Sequence, residues 1–219
     1  MQLYVGAKLE RPPGRKYVEA LPFAELAFPA SLPKAKTLAR WRQGVPESFR
    51  VAIVTPPAAL GPRRSPLRLT EEVEEALAWL DAAVETLDAD VVVPTGSGLT
   101  TSNRDRDRLA AFVERIPRRD GRNVVWAPKG LWEAELAHPM AEDLGVLCAY
   151  DPLEDPAPEG PVIYARVAAI GARRKLGEGV RYELLDALMD AAPQQAFVAL
   201  ESARSFDAAV ALQQLALGG

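Results

Sequence analysis

Two charged residues, Glu25 and Arg166, lie inside segments of the sequence that are otherwise apolar and strand-like. Glu25 is the central acid of "FAELAF" (23–28), and Arg166 lies in "VIYARV" (162–167). A buried carboxylate is strongly destabilising unless a cation pairs with it, so we expect the two side chains to meet. Such a pair has two interpretations: a structural ion pair within the fold, or a carboxylate and a guanidinium that bind a polar ligand.

A second candidate site lies in the segment "VVWAPKGLW" (124–132). Its β-branched residues and Trp126 predict a strand that ends at Pro128, and Lys129 is the only ionisable residue of the segment. Catalytic groups of alternating β/α proteins usually lie at this position, directly after a strand. If the protein is an enzyme, the candidate catalytic residues are therefore Glu25, Lys129 and Arg166.

A third candidate is the basic loop "GARRKLGEG" (171–179), which carries Arg173, Arg174 and Lys175. Barrels of alternating strands and helices often bind phosphate through the loops that follow strands seven and eight. The alternative is a solvated surface loop without a ligand. Glu201, at the end of the last predicted strand, is a further candidate ligand contact.

The sequence does not support the other common catalytic arrangements. His138 is the only histidine and lies in a predicted helix, and the only cysteine, Cys148, lies in the apolar segment "GVLCAYD". No Ser/His/Asp or Cys/His arrangement can therefore be assembled. Glu25, Asp151 and Glu201 lie in or next to predicted strands, but their spacing does not require a metal site. We predict neither a metal nor a cofactor.

The composition is that of a globular domain. The 219 residues are 48% hydrophobic and 26% charged, with a formal net charge of −4. The acidic balance argues against a nucleic-acid partner, and the alternating charges of "RDRDR" (104–108) are typical of a solvated helix face. No apolar run approaches the ~18 residues of a membrane span, and the N-terminus does not resemble a signal peptide. We expect a cytoplasmic protein, and the richness in Ala, Arg and Pro favours a bacterial source.

Strand and helix patterns alternate along the chain and predict the fold. Eight apolar runs are strand candidates: 3–6, 23–28, 49–55, 90–94, 123–127, 145–150, 162–167 and 195–201. Helical patterns lie between most of them: 34–44, 71–87, 104–115, 131–144, 182–191 and 205–217. Continuous Val/Ile/Leu/Ala runs are typical of a parallel sheet covered by helices. We predict an α/β, TIM-barrel-like closed (β/α)₈ barrel, compact, with one or two reduced crossovers, as a single domain over residues 1–219.

Two segments make this prediction more specific. The clearest helix follows Thr70, a suitable N-cap residue, and its apolar residues recur every three or four positions. That core-facing stripe consists of Val73, Leu77, Leu80, Val84 and Leu87. By contrast, "DPLEDPAPEGP" (151–161) carries four prolines and predicts an extended loop where a crossover helix would otherwise lie.

The N-terminal third also carries a longer pattern. It runs through "YVEALPFAELAF" (17–28) and "LPKAKTLARWRQGVPESFRVAIVTPP" (32–57). This stretch resembles the YecE-like family, domain of unknown function family 72. The matching residues are Tyr17, Glu25, Trp41, Pro46, Phe49 and Arg50. "YARVAAIG" (164–171) resembles the family's Tyr-x-Arg-x-His-Gly strand and "FVALES" (197–202) its Tyr-Phe-Asn-Asn strand. The resemblance implies a TIM-barrel-like fold, and it implies no established reaction.

Several polar residues of the family pattern are replaced in this chain. Ala7-Lys8-Leu9 stands where the family has Ser-Gly-Trp, and "VVWAPKGLW" stands where it has Glu-Phe-Arg-His-Pro-x-Trp. The other replacements are Val54 for Lys, Val93-Pro94-Thr95-Gly96 for Gln-x-Pro-Pro, Ala168-Ala169 for His-Gly and Glu201-Ser202 for Asn-Asn. Trp132 is retained and is a candidate ligand contact, with a place in the core as its alternative. Of the polar residues expected at the mouth of the barrel, Glu25 and Arg166 remain.

Two functions follow from this pattern. The first is a divergent YecE-like barrel that has lost the family's polar site and acts as a non-catalytic module for a small anionic ligand or a protein partner. The second is an enzyme for a small anionic or phosphorylated substrate at the C-terminal mouth of the barrel. Apolar side chains of Val54, Pro94 and Trp126 filling the mouth would argue against the enzyme.

Overall fold

A computed structural model of the chain describes residues 1–29, 31–169 and 176–218. Its eight parallel strands form a closed barrel in the order β1 to β8, so each strand lies beside its neighbour in the sequence and β8 pairs with β1. The predicted TIM-barrel-like α/β fold is confirmed.

The strands and helices have the following bounds. The strands are β1 (Gln2–Leu9), β2 (Phe23–Leu26), β3 (Arg50–Val54), β4 (Asp90–Pro94), β5 (Val124–Ala127), β6 (Leu147–Tyr150), β7 (Val162–Ala168) and β8 (Gln195–Glu201). The helices are α1 (Arg15–Ala20), α2 (Ala35–Gln43), α3 (Pro57–Leu60), α4 (Glu71–Leu87), α5 (Asn103–Arg115), α6 (Ala134–Asp143), α7 (Glu178–Asp190) and α8 (Ser205–Gly218). All eight predicted strands are present, with β1 extending beyond its predicted end at residue 6.

Helix α4 forms for the reasons that its sequence indicates. The Thr70 side chain accepts a hydrogen bond from the backbone N–H of Val73 at 3.4 Å, which satisfies one of the free donors of the first turn. Three glutamates lie in that first turn, where the helix dipole favours negative charge. The whole predicted stripe from Val73 to Leu87 is buried, so the periodic apolar residues attach the helix to the core.

One reduced crossover is also confirmed. The described loop between β6 and β7, residues 151–161, contains only turns and bends. Proline cannot donate the backbone hydrogen bond of a helix interior, and this segment has four prolines. Short α3 is a second small element, with Pro57 as its first residue. These short connections allow an eight-stranded barrel within 219 residues.

The chain divides into two compact units. The first unit comprises residues 1–26, 45–50 and 149–219, and the second comprises residues 27–44 and 51–148. The single domain over residues 1–219 stays a prediction. No helix in the described part of the chain is both long enough and apolar enough to cross a membrane.

Candidate functional site

Five polar side chains of the first unit lie on the strands β1, β2, β7 and β8, four of them in the C-terminal half of their strand and Tyr164 nearer the start of β7. They are Lys8, Glu25, Tyr164, Arg166 and Glu201, and we call them the polar cluster. Strand pairing brings them together, because Lys8 lies opposite Glu25 and Ala168 lies opposite Glu201. Side chains two residues apart on a strand share a face, so Tyr164, Arg166 and Ala168 point to one side of β7.

Glu25 is the anchor of the polar cluster. Its side chain is fully buried, and the Arg166 guanidinium contacts both of its oxygens, with Nη2 2.9 Å from Oε1 and Nε 3.1 Å from Oε2. The Tyr164 hydroxyl donates a third hydrogen bond to Oε2 at 2.9 Å. The carboxylate therefore has a bidentate contact with a guanidinium and a third hydrogen bond from a hydroxyl. A buried carboxylate requires such pairing. The expected pairing of Glu25 with Arg166 is therefore present.

Arg166 stays charged in this environment. Burial by itself lowers the pKa of the guanidinium, but the charge of Glu25 and its hydrogen bond outweigh burial, and the net pKa lies above its ordinary value. Tyr164 and Glu201 contribute further attraction in the same direction. The Arg166 side chain keeps 19% of its surface exposed, so a permanent cation with a partly accessible face lies beside a buried acid.

A second ion pair completes the polar cluster. Lys8 Nζ lies 2.7 Å from Glu201 Oε1, and 28% of the Lys8 side chain and 55% of the Glu201 side chain are exposed. Exposed ion pairs contribute about 0–1 kcal/mol, so this pair can open at small cost. The cluster thus combines one buried, fully hydrogen-bonded ion pair with one accessible ion pair.

Aromatic rings hold Tyr164 and β2 in place. The Tyr164 ring packs edge-on against Phe23 at 6.1 Å and stacks against Phe197 at 6.0 Å. Phe23 also packs against Phe197 at 5.5 Å, so rings from β2, β7 and β8 form one layer. Since aromatic packing restricts ring orientation, this layer fixes the direction of the Tyr164 hydroxyl toward Glu25.

Tyr17 of helix α1 ties β1 to β2. Its hydroxyl accepts a hydrogen bond from the Ala7 backbone N–H at 2.6 Å and donates one to the Phe23 carbonyl at 2.9 Å. Gly6 allows this close approach, because a Cβ at that position would lie 2.2 Å from the Phe23 oxygen. These contacts hold Lys8 and Glu25 in register, and burial raises the pKa of Tyr17 above its ordinary value.

The strand ends of the second unit are apolar. On β3 and β4, Val54 pairs with Val92, and further along β4, Pro94 pairs with Ala127 of β5. Val54, Val92, Pro94 and Ala127 share one face because paired residues point to the same side and positions alternate along a strand. No group of three or more His, Cys, Asp or Glu side chains is placed to hold a metal ion in the described ranges of either unit.

Trp126 does not join that apolar face. It pairs with Val93 and Cys148, which puts it on the opposite side of β5 from Val125 and Ala127. The ring is fully buried, its Nε1 donates to Thr95 Oγ1 at 2.9 Å, and it packs edge-on against Trp132 at 4.9 Å. Of the three apolar residues whose presence in the mouth would argue against the enzyme, Trp126 therefore does not share the face of Val54 and Pro94, because the strand register turns it the other way.

The loops after β3, β4 and β5 pack closely on one another. A Cβ on Gly98 would lie 2.3 Å from the Arg63 carbonyl, and one on Gly130 would lie 3.0 Å from the Ser97 Cα. Gly130 also has a φ of +82°, which disfavours other residues. These glycines allow the backbones of neighbouring loops in the second unit to lie in direct contact.

The remaining candidate residues are distributed as follows. Trp132 is buried with 5% exposure, and its indole N–H donates to the Leu99 carbonyl at 3.2 Å, so it occupies a core position. Lys129 is exposed in the loop after β5 of the second unit, and its catalytic role stays a prediction. Arg173, Arg174 and Lys175 lie outside the described residues. Binding of a ligand by Trp132, by Glu201 or by that basic loop also stays a prediction.

Sequence reasoning missed two members of the polar cluster, Lys8 and Tyr164. Tyr164 precedes Arg166 by two residues and therefore shares its face, a signal that the alternation of a strand contains. Lys8 was recognised only as a departure from the family pattern. Its partner Glu201 is 193 residues away, and no local pattern links the two.

Solved structures with the same fold are known. A DUF72 family protein from Enterococcus faecalis V583 superimposes with a TM-score of 0.70 at 13% identity, over 100% of this chain and 98% of that chain. A DUF72 family protein from Thermotoga maritima MSB8 gives 0.67 at 13% identity, over 99% and 100%. The chain has the same fold as these two DUF72 family proteins. The predicted resemblance to the YecE-like family is confirmed at the level of the fold.

The same fold occurs in proteins of other names. The 3-keto-D-glucoside 4-epimerase YcjR from E. coli, in its apo form, superimposes with a TM-score of 0.58 at 13% identity, over 98% of this chain and 99% of that chain. No protein-family model and no curated protein matches the sequence. Identities this low establish the shared fold, and function must be argued from the site.

Proposed function

We propose that the barrel binds a small anionic molecule through Lys8 and Arg166 and performs no acid–base catalysis on it. The observation that carries this proposal is the pairing of β8 with both β1 and β7, which places a cation on each neighbour of β8. Lys8 and Arg166 are both partly exposed, and an anion near the end of β8 would meet both charges.

The environment of Arg166 favours anion binding. Its Nε and Nη2 atoms contact Glu25, while no described residue forms a hydrogen bond with Nη1. A guanidinium held on two atoms is already oriented before a ligand arrives, so little conformational entropy is lost on binding. Glu25 thus acts as a positioning residue for Arg166.

The environment of Glu25 argues against acid–base catalysis. A general base must reach a proton of the substrate, directly or through one water. Glu25 is fully buried and accepts three hydrogen bonds from Tyr164 and Arg166. The only histidine, His138, lies on helix α6 in the second unit, directly before Pro139. The first unit therefore offers no histidine to replace Glu25 as a base.

The second candidate function is that of an enzyme acting on an anionic or phosphorylated substrate. The observation that favours it is the hydrogen bond from Tyr164 to Glu25, because a tyrosine beside a carboxylate can exchange a proton with it. In that case Glu25 and Tyr164 would transfer the proton while Arg166 held the anion.

A thermal-shift titration tests the binding proposal. Sodium salts of lactate, malonate and phosphate are compared with sodium chloride at constant ionic strength. A bound anion raises the unfolding midpoint by mass action, and the rise should grow with concentration beyond the Kd. Lys8→Gln should abolish the rise, while Lys129→Gln, which removes an exposed lysine of the second unit, should leave it unchanged.

Two outcomes would contradict the proposal. If no salt raises the midpoint more than chloride does, the barrel does not bind such an anion. If an anion that binds is converted during a day of incubation, as followed by proton NMR, and Glu25→Gln stops the conversion, the protein is an enzyme and the second candidate is correct.

A further inference from the structure

We infer that the Glu201 carboxylate occupies the position of the ligand's own anionic group, and that the ligand is a small monocarboxylate which displaces it. This inference rests on the proposed function, because it names the class of anion that Lys8 and Arg166 bind. In this inference Glu201 competes with the ligand for Lys8 and Arg166, and it thereby raises the ligand concentration that binding requires.

The position of Glu201 supports the first half of the inference. Glu201 ends β8, which pairs with β1 on one side and with β7 on the other. Its Oε1 accepts a hydrogen bond from Lys8 Nζ at 2.7 Å, and its charge also attracts Arg166. A carboxylate already contacts Lys8 and lies within electrostatic reach of Arg166, so the site is suited to a group of that charge.

Glu201 is also the member of the polar cluster that can move away. More than half of its side chain is exposed, whereas Glu25 is fully buried and contacts both Arg166 and Tyr164. Water screens an exposed ion pair, and a glutamate has several rotamers that direct its carboxylate to solvent. Exchange of Glu201 for a ligand carboxylate therefore requires no rearrangement of the barrel.

The charge balance selects the class of ligand. Within the polar cluster, Lys8 and Arg166 carry two positive charges, and Glu25 and Glu201 carry two negative charges. When Glu201 turns to solvent, Lys8, Arg166 and Glu25 leave one net positive charge. A carboxylate neutralises it, whereas a dianionic phosphate would leave an excess negative charge beside the buried Glu25.

Ligand-observed NMR titration tests the inference. The dissociation constants of lactate and of inorganic phosphate are measured at constant ionic strength for the wild type, Glu201→Gln and Lys8→Gln. Glu10→Gln is the matched control, because Glu10 is an exposed acid directly after β1. Removal of the competitor should tighten lactate binding about two- to fivefold, in line with the strength of an exposed ion pair. Glu10→Gln should change it less than about twofold.

The outcomes separate this inference from the proposed function. Lactate binding that requires Lys8 and is unchanged or weakened in Glu201→Gln overturns the inference and leaves the proposed function standing. Phosphate binding tighter than lactate binding in the wild type overturns the assignment to a monocarboxylate. Binding of neither anion to any variant overturns the proposed function itself.

Discussion

The two units of the barrel carry different kinds of residue toward the ends of their strands. In the first unit, β1, β2, β7 and β8 carry four charged residues and a tyrosine, organised around the buried Glu25. In the second unit, β3, β4 and β5 carry Val54, Pro94 and Ala127, and close backbone contacts between loops lie beyond them. The difference indicates that the candidate for binding is the first unit, while the same strand positions of the second unit serve packing.

This contrast also bears on the segment in which polar residues of the family pattern are replaced. The segment "VVWAPKGLW" lacks an acid and a histidine, and Trp126 and Trp132 pack on each other in the core. The absence of an acid and a histidine there coincides with the burial of two tryptophan rings. The candidate binding site lies in the first unit and the aromatic packing of Trp126 and Trp132 in the second, and each can be tested by substitution.

The largest effect should come from breaking the buried ion pair of the first unit. Arg166→Met leaves the Glu25 carboxylate buried without its cation, which should lower the free energy of unfolding by about 3–5 kcal/mol. Urea denaturation measures the change. The double variant Glu25→Leu/Arg166→Met should recover most of it, because the uncompensated charge is then absent. If Arg166→Met costs less than about 1 kcal/mol, the pair does not hold the first unit together.

A smaller effect should follow a substitution in the core of the second unit. Trp126→Phe shortens the ring that packs on Trp132 and removes the donor to Thr95, so the free energy of unfolding should fall by about 1–3 kcal/mol. Binding of lactate should be unchanged, because Trp126 belongs to the unit that packs. A lost lactate signal in a variant that remains folded would show that the two regions are not functionally separate.

The smallest effect concerns the pH dependence of the first unit. Burial raises the pKa of Tyr17 in the folded protein, whereas an unfolded tyrosine titrates near pH ~10. The contribution of the neutral, buried Tyr17 to the free energy of unfolding is therefore fully present below pH ~10 and is lost as the pH rises through the folded pKa. Tyr17→Phe should flatten this alkaline decline and cost about 1–2 kcal/mol at neutral pH, since the Ala7 N–H and the Phe23 carbonyl lose their partner.

Tyr150 is the matched control for that experiment. Burial raises its pKa to about 12, but its hydroxyl has no hydrogen-bond partner among the described residues. Tyr150→Phe should therefore also reduce the alkaline decline and leave the free energy of unfolding at neutral pH unchanged or slightly higher. Equal losses at neutral pH for Tyr17→Phe and Tyr150→Phe would contradict the role of Tyr17 in joining β1 to β2.

The sequence predicted much of the fold because the relevant signals are local. Continuous apolar runs indicated the buried parallel strands, Thr70 and the apolar stripe indicated α4, and the four prolines of residues 151–161 indicated a loop. Pairing of Glu25 with Arg166 was also predictable, because an acid inside an apolar strand requires a cation. The side of β5 on which Trp126 lies was not predictable, since a one-residue shift in register reverses the direction of a side chain.

The sequence by itself therefore determined the succession of strands and helices and the need of Glu25 for a partner, because composition and periodicity act over a few residues. Only the tertiary structure decided that Lys8 meets Glu201, and that Tyr164 adds its hydroxyl to the same cluster. The physical reason is the closure of the barrel: pairing of β8 with β1 joins residues 193 positions apart, and the register of that pairing depends on the packing of the whole sheet.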